Sequence, residues 1–282
     1  MPTRYSPANL FGMLSSDIRA EILKGLTDDG PTTISQFLEL HCHDNRKSDI
    51  TIQGLSKHFK KLAEAHLVKR NNDGSFSTTP LGHTVRWQLQ SFELFTRYGA
   101  YFNSHATNRL PKKFAQEIGV LRNSTVIEGR RHVLGKARSA IGSTNKYLKI
   151  AVISYATDIV PLIAKKVTGS SLRVSYLFGR NTQIPKRRTY LLTKSGWWNL
   201  LSTGLVERRM TGEDLVASIL VTEKDAMISF CKSNGTPDLG TAFYGNDASF
   251  WRWCNDLFAH MWYNAGTFYE SGIVEKGNSS QN

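Results

Sequence analysis

Cysteine is scarce in this chain of 282 residues: Cys42, Cys231 and Cys254 are the only three. They are too few and too scattered for a disulfide framework, so a small stapled secreted scaffold is excluded and reduced thiols are expected. No uncharged apolar run reaches the roughly 18 residues that a membrane-crossing helix requires. The opening residues, MPTRYSPANLFGMLSSD, lack the basic-then-apolar order of a secretion signal. A cytoplasmic protein without a membrane partner is the expectation. Acidic residues are also few, 23 against 36 Lys and Arg, which leaves a formal charge of +13.

Two ligand patterns are present only in fragments. Residues 129–136, GRRHVLGK, resemble a phosphate-binding loop, but five residues separate the glycines instead of four, and Ala137 stands where Ser or Thr would hold magnesium. ATP binding is therefore not expected. His41, Cys42, His43 and Asp44 are adjacent metal-ligand types, yet neighbouring side chains diverge and no second Cys/His group accompanies them. No cofactor and no metal is expected. Trp197, Trp198 and Tyr190 lie near Lys186, Arg187, Arg188 and Lys194, an interleaving that either stacks bases or marks a core beside a charged loop.

What is present is clearest in residues 50–82. Ile52, Leu55, Phe59 and Leu62 recur at helical spacing with Ala63 beside them, while Gln53, Lys57, Lys60 and Lys61 fall on the opposite face. Thr51 is placed to cap this helix. Residues 67–70 and 75–78 read as two strands, joined by Asn71, Asn72, Asp73 and Gly74, and Lys69 and Arg70 charge the hairpin. Thr79 and Pro80 then suit the cap and first residue of a helix over 81–102. Upstream, Ile18, Ile22, Leu23 and Leu26 mark one helix, and Ile34, Phe37, Leu38 and Leu40 another. Three helices followed by a basic hairpin suggest a winged helix that sets its third helix in a DNA major groove.

Beyond residue 110 the pattern alternates. Residues 148–155 (LKIAVISY) and 172–178 (LRVSYLF) read as strands around a helix over 156–167, and 206–210, 215–221 and 226–231 as further strands. An aromatic helix lies within 245–266, with Asn246 or Asp247 as its cap, and 273–282 reads as a disordered tail. Charge is uneven along this order. Residues 1–110 hold 13 Lys and Arg against 10 Asp and Glu, residues 111–212 hold 19 against 4, and residues 213–282 hold 4 against 9. The basic middle lies along DNA, faces a pocket for an anionic metabolite, or pairs with the acidic C-terminal segment.

The segment SKHFKKLAEAHLVKR, residues 56–70, resembles the helix-to-wing segment of ArsR-like and MarR-like winged-helix regulators. It departs from them at His66, where glycine would end the helix in a left-handed turn. With residues 109–129 (RLPKKFAQEIGVLRNSTVIEG), LKIAVISY and residues 240–262 (GTAFYGNDASFWRWCNDLFAHMW), the whole length is similar to archaeal regulators that join an ArsR-like winged helix to a methanogenesis-regulator-type domain. That domain is related to the phospholipase-D-like sensor of TrmB-like regulators. The resemblance implies a two-domain fold of α+β and α/β parts, its C-terminal α/β domain phospholipase-D-like but lacking the catalytic motif. Phospholipase-D chemistry uses H-x-K-x-x-x-x-D, and the one H-x-K here is His58-Phe59-Lys60, with Ala65 at the Asp position and no sheet nearby. His58 instead flanks the recognition helix, touching phosphate or packing on the first helix.

Together these readings give a winged-helix domain over 1–82, a connecting and dimerising helix over 83–110, and an α/β effector domain over 111–272. The function expected is a non-catalytic, DNA-binding transcriptional regulator. It acts as a homodimer on duplex DNA and responds to an unidentified small effector, an anion being one class open to it. The DNA-contacting residues are Thr51, Gln53, Ser56, Lys57, Lys60, Lys61, Lys69 and Arg70. Gln53 is assigned to adenine, Lys57 to guanine, and Lys60, Lys61, Lys69 and Arg70 to phosphates. The alternatives are a constitutive nucleoid-type DNA binder and a phospholipase-D-like phosphodiesterase or nuclease.

Overall fold

The computed structural model describes residues 6–26, 30–41, 50–154, 159–185 and 188–269. Cys42, His43, Asp44, Lys186, Arg187 and the tail 273–282 lie outside them, as does the start of the helix expected from 156. The chain divides into two compact units, Met1–Glu93 and Leu94–Asn282, so the division falls inside a long helix instead of at residue 82 or 110.

Unit 1 begins with four helices: α1 (Pro7–Leu14), α2 (Asp17–Gly25), α3 (Ile34–His41) and α4 (Ile52–Glu64). The first of them adds to the three expected. Thr33 and Gln36 form a reciprocal capping box at the start of α3, Gln36 N–H donating to Thr33 Oγ1 at 3.2 Å and Thr33 N–H to Gln36 Oε1 at 2.9 Å. Thr51 caps α4 by accepting from Gly54 N–H at 3.1 Å. Leu55, Phe59 and Leu62 are fully buried with Ile22, Leu23, Leu26 and Phe37. Ile52 and Leu40 are not part of this core: they are 50% and 73% exposed. Each sits in the first or last turn of its helix, beyond the reach of its neighbours.

The end of α4 shows how His66 replaces glycine. It adopts φ 55°, in the left-handed region. Its N–H donates to Ala63 O at 2.9 Å, and Leu67 N–H reaches back to Leu62 O at 3.0 Å. This paired closure satisfies two carbonyls that the helix leaves free, and buried Leu62 and Leu67 accompany it. The chain then enters β1 (Val68–Arg70), which pairs antiparallel with β2 (Phe76–Thr78). Gly74, at φ 83°, closes the turn. Thr32 adds a third strand position, exchanging hydrogen bonds with Phe76 at 3.0 and 2.9 Å. Helix α5 (Pro80–Ser104) follows, with a kink at Tyr98. A Cβ at Gly82 would sit 1.9 Å from Leu67 O, so only glycine lets the first turn of α5 approach the hairpin's base.

Unit 2 is built on one mixed eight-stranded sheet. Its strands are β3 (Thr125–Glu128), β4 (Tyr147–Ser154), β5 (Arg173–Gln183), β6 (Val206–Met210), β7 (Ala217–Thr222), β8 (Ala226–Phe230), β9 (Thr241–Gly245) and β10 (Gly266–Thr267). Their order is β10-β6-β5-β4-β7-β8-β9-β3, with β4, β5 and β6 parallel and every other pairing antiparallel. One face carries α7 (Arg130–Ser143), α8 (Ile159–Ser170), α9 (Arg188–Lys194) and α10 (Trp197–Ser202) over Leu148, Ile150, Val152, Val174 and Tyr176. The other carries α11 (Ala248–Tyr263), whose Phe250, Trp253, Leu257 and Phe258 pack on Ile153, Ile219, Val221 and Ile228. Between α5 and β3, α6 (Lys112–Gln116) contributes Phe114 to this second face. Because alternate residues feed two covered faces, the central strands are nearly continuous apolar runs.

The expected cap at residue 246 or 247 resolves to Asp247, which accepts from Ser249 and Phe250 N–H at 3.0 and 3.1 Å. Burial pushes the Glu223 carboxyl up. Hydrogen bonds from the Thr144 hydroxyl and from the N–H groups of Asn145 and Lys146 overcome that push and hold it down at about 2. The turn between β7 and β8 is thereby tied to the loop entering β4.

Candidate nucleic-acid interface

Burial of Leu55, Phe59 and Leu62 fixes the phase of α4, and the phase decides what faces outward. Gln53, Ser56, Lys57, Lys60 and Lys61 are all exposed. So are Thr51, whose hydroxyl is already engaged as the cap, and Ile52, which borders this face instead of the core. Lys69 and Arg70 are exposed on β1, and the Arg70 guanidinium lies beside the hairpin turn near Gly74. Among the described residues no carboxylate pairs with Lys57, Lys60, Lys61, Lys69 or Arg70. All eight residues expected at a DNA interface thus lie exposed on two consecutive elements of unit 1. Cations left to solvent in this way attract phosphate without first breaking an internal ion pair.

His58 is half-buried between the two sides of α4, and its Nδ1 has no hydrogen-bond partner among the described residues. Burial lowers its pKa, and Arg19 and Lys61 add to the effect. Arg19 is itself buried on α2, donating to the carbonyls of Met13 and of Gly12, the latter at 3.1 Å. The buried Nδ1 of His58 and the nearness of Arg19 of α2 favour the packing reading of His58 over contact with phosphate. His58 cannot serve with Lys60 as a phosphodiesterase pair, because Phe59 between them is core and Lys60 points to solvent.

Unit 2 holds a different feature, a cavity of about 110 Å³ between α7 and the sheet. Val133, Leu134, Ala137 and Ile141 form its roof, and Ile150, Val152, Tyr176, Leu220 and Met227 much of its floor. Among the described residues its polar lining includes Ser154, Ser218, Ser229 and Asp238, and no Lys, Arg or His lines it. The expected basic pocket for an anion is not this one. The basic segment instead spends several cations locally. Arg180 pairs with Asp214 at 3.1 Å, and Lys149, its pKa lowered by burial, donates to Asn255 at 2.7 Å. Lys166 donates to Gly142 O at 2.9 Å. Lys194 lies 5.9 Å from the ring of exposed Tyr190, whereas Trp197 is core.

Ser104, His105 and Asp238 mimic a hydrolytic triad in their connectivity. His105 Nε2 meets Asp238 Oδ2 at 3.1 Å, and Nδ1 lies 3.0 Å from Ser104 Oγ. The same Nδ1 is 2.6 Å from Tyr101 O, and Ser104 Oγ donates to carbonyls one turn back. Neither group is poised for proton transfer, and the arrangement closes the end of α5. The cavity and this closure went unread in the sequence, since Ser218, Ser229 and Asp238 sit in no recognisable motif. A serine opposite a serine on adjacent strands was the available signal.

No protein-family model matches the sequence, and no curated protein matches it. Among solved structures the chain is similar to TrmBL2, an archaeal chromatin protein described as showing a novel mode of DNA binding: TM-score 0.41, 11% identity, covering 93% of this chain and 100% of that one. It is also similar to NucT from Helicobacter pylori, with TM-score 0.40 and 13% identity over 51% of this chain and 98% of that one. A third is Nuc from Salmonella typhimurium, a phospholipase D family member, with TM-score 0.39 and 9% identity over 51% and 96%. Scores of this size carry no functional inference. No helix among the described residues is long and apolar enough to cross a membrane.

Proposed function

We propose that the protein is a DNA-binding transcriptional regulator whose first 82 residues form a winged helix-turn-helix. The observation that carries this reading is the exposed row of Gln53, Ser56, Lys57, Lys60 and Lys61 on α4, continued by Lys69 and Arg70 on the hairpin, none of these cations paired with a carboxylate among the described residues. In this reading α4 enters the major groove, Gln53 and Lys57 meet base edges, and the remaining cations meet phosphates. Residues 83–110 connect and dimerise. Trp87 and Phe95, 60% and 40% exposed on α5, support a homodimer, which matches a two-fold operator. Residues 111–272 sense a small effector.

The test is binding of the full chain to its own upstream duplex and to a length-matched random duplex across salt. Lys60→Ala is expected to weaken both equally and to reduce the salt slope by about 0.9. Lys57→Ala is expected to weaken the upstream duplex selectively. Equal weakening of both by Lys57→Ala would remove its base-reading role, and no preference in the parent protein would favour a constitutive nucleoid-type binder. Absence of any binding would end the reading. The phosphodiesterase alternative has less support: the one H-x-K lies on α4, and among the described residues neither His nor Lys lines the cavity of unit 2.

A further inference from the structure

The cavity under α7 has a chemistry of its own. Aliphatic side chains from α7, β4 and β7 form most of its wall, with Tyr176 and Met227. Among the described residues Asp238 is the one charged group in its lining, and both carboxylate oxygens are engaged: Oδ1 accepts from Gly240 N–H at 2.7 Å and Oδ2 faces His105 Nε2 at 3.1 Å. An anionic guest would therefore be buried beside a carboxylate without a counter-charge, and a cationic one would have to compete for Asp238 with His105 and Gly240 N–H, at costs that an apolar wall does not offset. Ser218 and Ser229 stand opposite each other in the β7–β8 pairing, on the face turned to the cavity. The Ser229 hydroxyl is engaged with the carbonyls of Asp238 and Thr241 at 2.8 and 2.7 Å. Half-buried Ser218 has no hydrogen-bond partner among the described residues.

We propose that this cavity binds a small, uncharged, largely apolar molecule bearing one hydroxyl or carbonyl group, which hydrogen-bonds to Ser218. The inference deepens the effector-sensing part of the proposed function by assigning the ligand's class. The volume is somewhat below the roughly 150 Å³ apolar cavity that admits benzene, so the guest is about one small ring or a short branched chain. Met227 can adjust to its outline. Because Asp238 both lines the cavity and holds His105, directly after α5, occupancy bears on the segment that closes that helix.

The experiment titrates the full chain with benzene, phenol and benzoate as probes, read by saturation-transfer NMR and by thermal unfolding. Benzene and phenol are expected to bind saturably and raise the Tm, and benzoate to do neither. Ser218→Ala should weaken phenol about five-fold, the loss of one neutral hydrogen bond, and leave benzene unchanged. Ala137→Leu should abolish both by filling the space, with the Ser218 variant deciding the matter if the larger side chain disturbs folding. Benzoate binding as well as phenol, no saturable binding of either ring, or an equal effect of Ser218→Ala on benzene and phenol would overturn the proposal. Duplex binding is measured on the same samples without probe, so failure of the DNA reading is seen separately.

Discussion

Residues 111–212 carry far more net positive charge than residues 1–110, yet it is the earlier region whose cations form one outward row. In unit 2, basic side chains are drawn into local work. Arg180 pairs with Asp214, Lys166 binds a carbonyl, Lys136 lies 4.1 Å over the ring of Tyr244, and Arg209 lies over Trp262 while donating to its carbonyl at 3.2 Å. In unit 1, a buried stripe of three residues holds Lys57, Lys60 and Lys61 outward, and the hairpin extends them with Lys69 and Arg70. Total charge sets the long-range field. A binding face requires cations held in register by a core that leaves them unpaired.

The comparison breaks most readily at that core. Leu55→Ala is expected to destabilise unit 1 by about 3 kcal/mol, through lost burial and the cavity it leaves, and to abolish duplex binding. Urea unfolding followed by a probe in each unit should show the loss in unit 1 alone; an equal loss in unit 2 would deny that each unit has its own core. Gly82→Ala comes next. The new methyl group would collide with Leu67 O, a backbone atom that cannot swing away, and a loss of about 2 kcal/mol is expected in the same assay.

Unit 2 should show its own signature in acid. Glu223 has its pKa depressed from 4.5 to about 2, so the stability it contributes is present above about pH 4.5 and is lost as pH falls through about 2. Glu223→Gln should therefore lower the Tm at neutral pH and flatten its fall between pH 4.5 and 2. An unchanged acid limb would show that the turn between β7 and β8 is not tied as described. The smallest effect sharpens the account of unit 1: His66→Gly should stabilise it by about 0.5 kcal/mol, by relieving a left-handed residue at the end of α4. Duplex affinity should not change.

Much of this was legible in the sequence for a local reason. Apolar spacing placed α4, turn residues placed the hairpin, and the Thr79-Pro80 pair placed the start of α5, all within a few residues of one another. His66 was read correctly as the departure from glycine, because a helix stop needs a left-handed residue wherever the chain must turn at once into a strand. The end-of-helix apolar residues Ile52 and Leu40 were misread, since periodicity assigns a face but not whether a neighbour covers it. Strands β3 and β9 went unseen. Both are short and lie at one end of the sheet, where β9 pairs with β8 and β3 with β9, so only tertiary pairing identifies them.

The sequence by itself determined the local elements around residues 50–82 and the covered central strands of unit 2, and narrowed the cap of α11 to Asn246 or Asp247. Each follows from periodicity or from a side chain that bonds its own backbone within a few positions. Tertiary structure alone decided which cations are spent internally, that Thr32 joins the hairpin, and that Ser218, Ser229 and Asp238 meet beneath α7. Those outcomes depend on residues brought together from distant positions, and no local pattern records such pairings. The eight residues of the α4 and hairpin face became a surface because the core behind them is only one helix turn away in sequence. The cavity exists because four strands, β4, β5, β7 and β8, and helices α7 and α8 close around it.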